Sequence, residues 1–326
     1  MKSEILNFSL LGLIGVLCFF VLKEDISQKK IKNKVLLWGF FAGVGLFLGG
    51  YLLGFFQLTY LRDVFVNFVL ALAVGYFFWL ISFWPAGDAK FFALLAFLLP
   101  LHYYWKSYLS FFPSLMLLVN IFVCAYGVLF GRAVVHLGNL VRKRDPFLFD
   151  FFSKIKRLFS LSGWASLLKE INFPTVVKSV AMLVGMFILM NYILKPKNVG
   201  TYTLMKNSLL GVTLWLVASL LIKKYIADKE LRVEKFSELK SGTLLLITLH
   251  DQEIFSKDFL EKLGPLKAEG LDERQVQLVK ELGKAKGVEN INTQRHMPFA
   301  PWIVVGLLVT ILLNDNLWQF FMRRWF

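Results

Sequence analysis

Long apolar runs separated by short charged segments organise the whole chain. A helix needs about 20 apolar residues to cross the hydrocarbon core of a bilayer. Runs at 5–22, 35–56, 64–84, 109–131, 175–194, 207–226 and 300–321 meet or approach that length. An eighth, 89–104, is shorter and follows Asp88 directly, so its first turn is expected at an interface or in a polar cavity. The pattern predicts an all-α polytopic membrane protein with about eight transmembrane helices. The first run has the length of a signal peptide, but no small-residue cleavage site follows it, and it is expected to be retained.

Within the runs, a few residues depart from the apolar pattern. The second contains Gly39, Gly43, Gly45, Gly49, Gly50 and Gly54, including three GxxxG spacings, which predicts close approach of a neighbouring helix. Asn67 and Asn120 are expected to hydrogen-bond across helices, a structural role favoured over a functional one.

Two polar regions stand between spans. Residues 132–174 are basic, with Phe147, Leu148, Phe149, Phe151, Phe152, Leu158, Phe159 and Trp164 interleaved. That mixture suits an interfacial helix on anionic membrane lipid, and a plain cytoplasmic loop accounts for it equally. Residues 227–299 are nearly balanced in charge and read as a small α+β insert. It has an apolar run from Thr243 to Leu249, then a helix opened by Asp272, with Gln275 at the capping-box position, that ends near Gly283 or Gly287. The expected organisation is a membrane core of about five helices over 1–131, the basic loop 132–174, two further spans over 175–226, the insert 227–299 and a last span over 300–326.

Composition agrees with the bilayer and excludes several other classes. The 326 residues are 57% hydrophobic and 16% aromatic. Mean hydropathy is +0.60 despite a formal charge of +15. Basic residues cluster between apolar runs, so they report topology and not a nucleic-acid surface. The segment from Lys23 to Lys34 is basic, and 132–178 holds nine basic against three acidic residues. Placing both in the cytoplasm puts the amino terminus outside, Asp25 and Asp88 at the cytoplasmic face and the insert inside. The same arrangement leaves Lys195, Lys197, Lys206, Arg323 and Arg324 outside, against the rule. Cys18 and Cys124 lie in apolar runs and read as packing residues. His102, His136, His250 and His296 are scattered, so no metal site and no cofactor is expected. No GxSxG elbow or Walker A sequence occurs.

An acid at membrane depth is costly unless a cavity or partner compensates it, which makes such a residue a functional candidate. Asp63 and Asp315 fall at predicted outer ends, whereas Asp88 sits in Trp84-Pro85-Ala86-Gly87-Asp88-Ala89-Lys90, between two apolar segments. Alone, Asp88 also reads as the N-cap of the fourth helix. Asp25, directly after the first span, also reads as a loop charge. As a pair they offer more: one ionised carboxylate activates water while its protonated partner donates to the carbonyl or the leaving amine.

These segments resemble a known family. Asp25-Ile26-Ser27-Gln28-Lys29-Lys30-Ile31-Lys32-Asn33 is similar to the D-x-x-x-x-x-I-P-N motif of type IV prepilin peptidases, including archaeal preflagellin peptidases. Pro85 to Lys90 resembles their G-x-G-D-x-K motif, and Met297-Pro298-Phe299-Ala300-Pro301 resembles the PF-x-P element that leads into a late helix. Glu269-Gly270-Leu271 and the helix that follows resemble the archaeal branch. The likeness covers roughly 15–110 and 241–313. Pro85 stands where the family has its first glycine, and Lys32 where it has proline. The resemblance implies a GxGD-type membrane aspartic endopeptidase with Asp25 and Asp88 as the catalytic pair. Gly87, Lys90, Ile31 and Asn33 would support the site or position substrate. The implied substrate is a prepilin-like precursor, cut at its short basic leader on the cytoplasmic face of the inner membrane. The four-cysteine zinc segment of the bifunctional bacterial enzymes does not occur here, so N-methylation is not expected.

Two other readings compete. One is a non-enzymatic transporter or pilus-assembly subunit in which Asp88 is structural. The other is a presenilin-type intramembrane protease, which would pair the G-x-G-D element with a Tyr-Asp that this chain lacks. For Lys90, a role in tuning a carboxylate competes with that of a snorkelling anchor.

Overall fold

The computed structural model describes residues 2–28, 30–81, 83–104, 112–145, 231–245, 255–266, 270–294 and 298–313, with isolated positions between 153 and 229. The expected span at 175–194, most of that at 207–226, nearly all of the aromatic stretch 147–164, and Asp315 lie outside the described residues. The chain divides into two compact units, 1–125 with 230–326, and 126–229.

In the first unit, apolar runs become helices: α1 (Lys2–Gln28), α2 (Asn33–Leu52), α3 (Leu58–Leu80), α4 (Ala86–Leu98), the beginning of α5 (Leu115–Lys143) and, near the carboxyl end, α8 (Ala300–Leu313). Four helices, α1, α2, α3 and α5, are long and apolar enough to cross a membrane, as expected of a multi-pass membrane protein. Their outward faces carry exposed Phe8, Phe19, Trp38, Phe41, Leu52, Phe65 and Phe77, which suits lipid better than water.

The 13-residue α4 is the centre of this unit. At 1.5 Å per residue it covers about 20 Å, short of a ~30 Å hydrocarbon core. Residues 91–98 are buried throughout, and α4 packs against α1, α2, α3 and α8. Small residues and buried amides make this packing possible. Gly75 on α3 lies so close to α4 that an added Cβ would stand 3.0 Å from the Ala89 carbonyl oxygen. Asn67 Nδ2 donates to the Ala96 carbonyl at 2.9 Å, while its Oδ1 accepts from Ser114 N at 3.0 Å and Ser114 Oγ at 2.6 Å. Asn120 Nδ2 on α5 donates to Thr310 Oγ1 on α8 at 2.9 Å. Both asparagines bridge elements as expected. The glycines of α2 divide: Gly39, Gly43 and Gly50 are buried against side chains from neighbouring elements, whereas nothing lies near the positions where Gly45 and Gly49 would carry a Cβ.

The insert is a small α+β body. Its antiparallel sheet has the order β1 (Leu231–Lys235), β3 (Asn290–Gln294), β2 (Leu244–Leu245). Helices α6 (Lys257–Leu263) and α7 (Glu273–Lys286) accompany it, and Phe236, Leu239, Phe255, Leu263, Leu271, Val276, Val279 and Ile291 form its core. Asp272 and Gln275 form the expected capping box of α7, and Gly287 closes that helix with a left-handed φ of 64°. In the second unit, where α5 continues, Ala133 and Leu221 are buried together.

Candidate active site

Asp25 is helical, contrary to its reading as a residue of the loop after the first span. The helix continues past the apolar run to Gln28, and Asp25 extends the buried stripe of Leu6, Leu10, Ile14, Leu17 and Val21. Recurrence of these positions every three or four residues puts them on one helix face. Asp25 is only 3% exposed, and its Oδ2 accepts a hydrogen bond from the backbone N–H of Ala300 at 3.0 Å.

Asp88 lies in the first turn of α4, and it is not the N-cap. Pro85 holds that position, with φ −59° and ψ 149°. A proline ring favours this φ, and a residue that precedes the helix needs no N–H for it. The Pro85 carbonyl accepts from Ala89 N at 3.2 Å. Proline in place of glycine is therefore accommodated without strain. Asp88 is also 3% exposed, and its buried Oδ1 has no hydrogen-bond partner among the described residues.

The two motif segments dock directly. A Cβ at Gly87 would stand 3.1 Å from Ile31 Cβ, so glycine lets the start of α4 lie against Ile31 without either side having to shift. Lys90 Nζ donates to Asn33 Oδ1 at 3.0 Å. Glu24 closes the α1–α2 turn by accepting from Lys32 N at 2.9 Å and pairing with Lys32 Nζ at 3.5 Å. Lys32, with φ −76°, has a backbone a proline could adopt, but proline would lose that N–H.

Asp25, Asp88, Gly87, Lys90, Ile31 and Asn33 all line one cleft of about 1480 Å³, together with Arg232, Glu234, Lys240, Thr243 and Lys280 of the insert. The two buried carboxylates thus reach one cleft from different helices.

Sequence reasoning missed three contributors. Ala300 acts through its backbone, which no residue type announces. Glu24 looked like one more charge in a charged segment. Trp84 is 1% exposed and anchors the turn before Asp88 against Phe78, Phe92, Phe122 and Phe299, with ring centroids 5.1–5.7 Å apart. Its apolar neighbours in sequence concealed that role. Among the described residues, no group of three or more His, Cys, Asp or Glu side chains could hold a metal ion. Comparison with protein families, curated proteins and solved structures gives no match for this chain.

Proposed function

We propose that this protein is a membrane aspartic endopeptidase that removes the short basic leader of prepilin-like precursors at the cytoplasmic face of the inner membrane. One observation carries the reading: Asp25 and Asp88, from different helices, are both buried and line the same cleft. Structural carboxylates gain nothing from proximity, whereas a hydrolytic pair requires it.

In this reading a water molecule sits between the carboxyl groups. The ionised one takes its proton, and the oxygen attacks the scissile carbonyl carbon. The protonated one donates to the amide nitrogen as the C–N bond breaks, leaving an acid and an amine. Gly87 and Ile31 set the spacing of the two motif segments, and Lys90 with Asn33 ties α4 to α2. The cleft reaches the insert, where a leader and the start of the mature chain find polar and charged partners. The basic segment 132–174 would contact anionic lipid.

One observation favours a second, non-catalytic reading: Asp25 Oδ2 caps the start of α8, which a purely structural acid would also do. Membranes containing the protein, incubated with a prepilin-like precursor and followed by mass spectrometry for leader release, separate the two. Release supports the peptidase; an intact precursor supports the structural role.

A further inference from the structure

A helix begins with backbone N–H groups that have no partner within the helix. At the start of α8 they are accounted for one by one. Pro301 has none, and the N–H groups of Trp302 and Ile303 turn back to the Phe299 carbonyl at 2.9 and 3.4 Å. The N–H of Ala300 goes instead to Asp25 Oδ2, 275 residues away in sequence, with both groups buried.

We infer that the backbone N–H of Ala300 is a positioning group for the working carboxylate of Asp25, so that the first residue of α8 sets the orientation of that carboxylate in the cleft. The inference rests on the peptidase reading. Hydrogen bonds to a charged acceptor are short, directional and stronger than neutral ones, and in a buried site they fix a carboxylate that would otherwise rotate about its last torsion. Ala300 is fully buried and does not line the cleft, so its effect is expected on turnover and not on binding.

The test removes one hydrogen. Incorporating lactic acid in place of Ala300 replaces the N–H by an ester oxygen and preserves the side chain. The α-hydroxy counterpart of valine at Val305, on a half-exposed stretch of α8, serves as the control for weakening the helix itself. Ala300→Pro is the second variant, since proline fits the first position of a helix. With the leader-bearing precursor as substrate, kcat is expected to fall about ten- to a hundredfold at the 300 ester with KM little changed, as loss of one charge-assisted hydrogen bond implies. The 305 ester is expected to stay within about threefold of the unmodified protein, its lost bond being an ordinary neutral one. Equal losses at 300 and 305, or a loss confined to KM, would overturn the inference.

A second readout does not depend on activity. Isotope-edited infrared spectra of ¹³C-aspartate protein, assigned with Asp25→Asn, are expected to show the Asp25 carboxylate band shifted by the 300 ester and not by the 305 ester. An unshifted band overturns the inference. If the precursor stays intact but the band shifts, the peptidase reading fails and Asp25 is only a cap, which also overturns the positioning role.

Discussion

Lys90 Nζ hydrogen-bonds to Asn33 Oδ1 at 3.0 Å, joining α4, which carries Asp88, to the first residue of α2. The contact lies beside that between Gly87 and Ile31, so the segments bearing the two aspartates touch at two points. Both partners are exposed, and an exposed bond of this kind contributes under about 1 kcal/mol to stability. Its larger effect is expected on alignment. Lys90→Met and Asn33→Ala should each lower kcat/KM by about three- to tenfold, and the double variant should be little worse than either single one, a coupling of about 1 kcal/mol. Steady-state kinetics on all four proteins check this; fully additive losses would show that the bond does not act as a unit.

A carboxyl pair sharing one proton works only between its first and second ionisations. Cleavage is therefore expected to pass through a maximum with pH, falling on the acid side as the base becomes protonated and on the alkaline side as the acid loses its proton. The measurement is kcat/KM against pH with protein and substrate shown to be stable throughout. A rate that rises steadily with pH would point to a single general base.

Asn67 satisfies the Ala96 carbonyl and the N–H and hydroxyl of Ser114 from inside the helix packing. Asn67→Ala leaves these groups buried without partners and should cost about 1–3 kcal/mol. Asn120→Ala, which removes the bond to Thr310 Oγ1 that joins α5 to α8, should also destabilise the fold, by about 1 kcal/mol or more. Denaturant titrations in detergent micelles measure both; an unchanged stability for either variant would contradict the bonding described.

Gly75 gives the beginning of α4 its place. With the Ala89 carbonyl oxygen 3.0 Å from where a Cβ would be, a larger residue must push backbone and not a flexible side chain. Gly75→Val is expected to cost about 1–3 kcal/mol and to depress cleavage beyond what the loss of folded protein explains, because Asp88 moves with Ala89. Gly45→Val, at a site with open space, is the comparison, and should change neither quantity appreciably.

How far the sequence announced this structure follows from how local each cause is. The α7 cap was legible because Asp272 and Gln275 satisfy each other three residues apart. The apolar runs were legible as helices, but their ends shifted. The run expected at 64–84 forms α3 over Leu58–Leu80, because a helix tolerates the exposed Arg62 and Asp63 at its start, and the chain turns before Pro85. The run expected at 109–131 continues as α5 to Lys143. The charges after Leu22 end the apolar run and point to a loop at Asp25, although its spacing from Val21 and Leu17 continues the helix face, which the structure follows to Gln28. The cap role for Asp88 failed because Pro85 takes that position. The bond from Ala300 was beyond reach of sequence reasoning, since it joins two residues through a backbone group whose partner only tertiary packing supplies.

The central claim is that two carboxylates act together, and isosteric amides test it most directly. At Asp25 an amide oxygen can still accept from Ala300, so Asp25→Asn should keep the start of α8 in place while removing the charge. Leader release should be measured for wild type, Asp25→Asn, Asp88→Asn and the double variant, each normalised to folded protein. The account predicts that each single variant loses at least about a thousandfold and that the double variant loses no more, as for residues acting as one unit. Full cleavage by either single variant would contradict it.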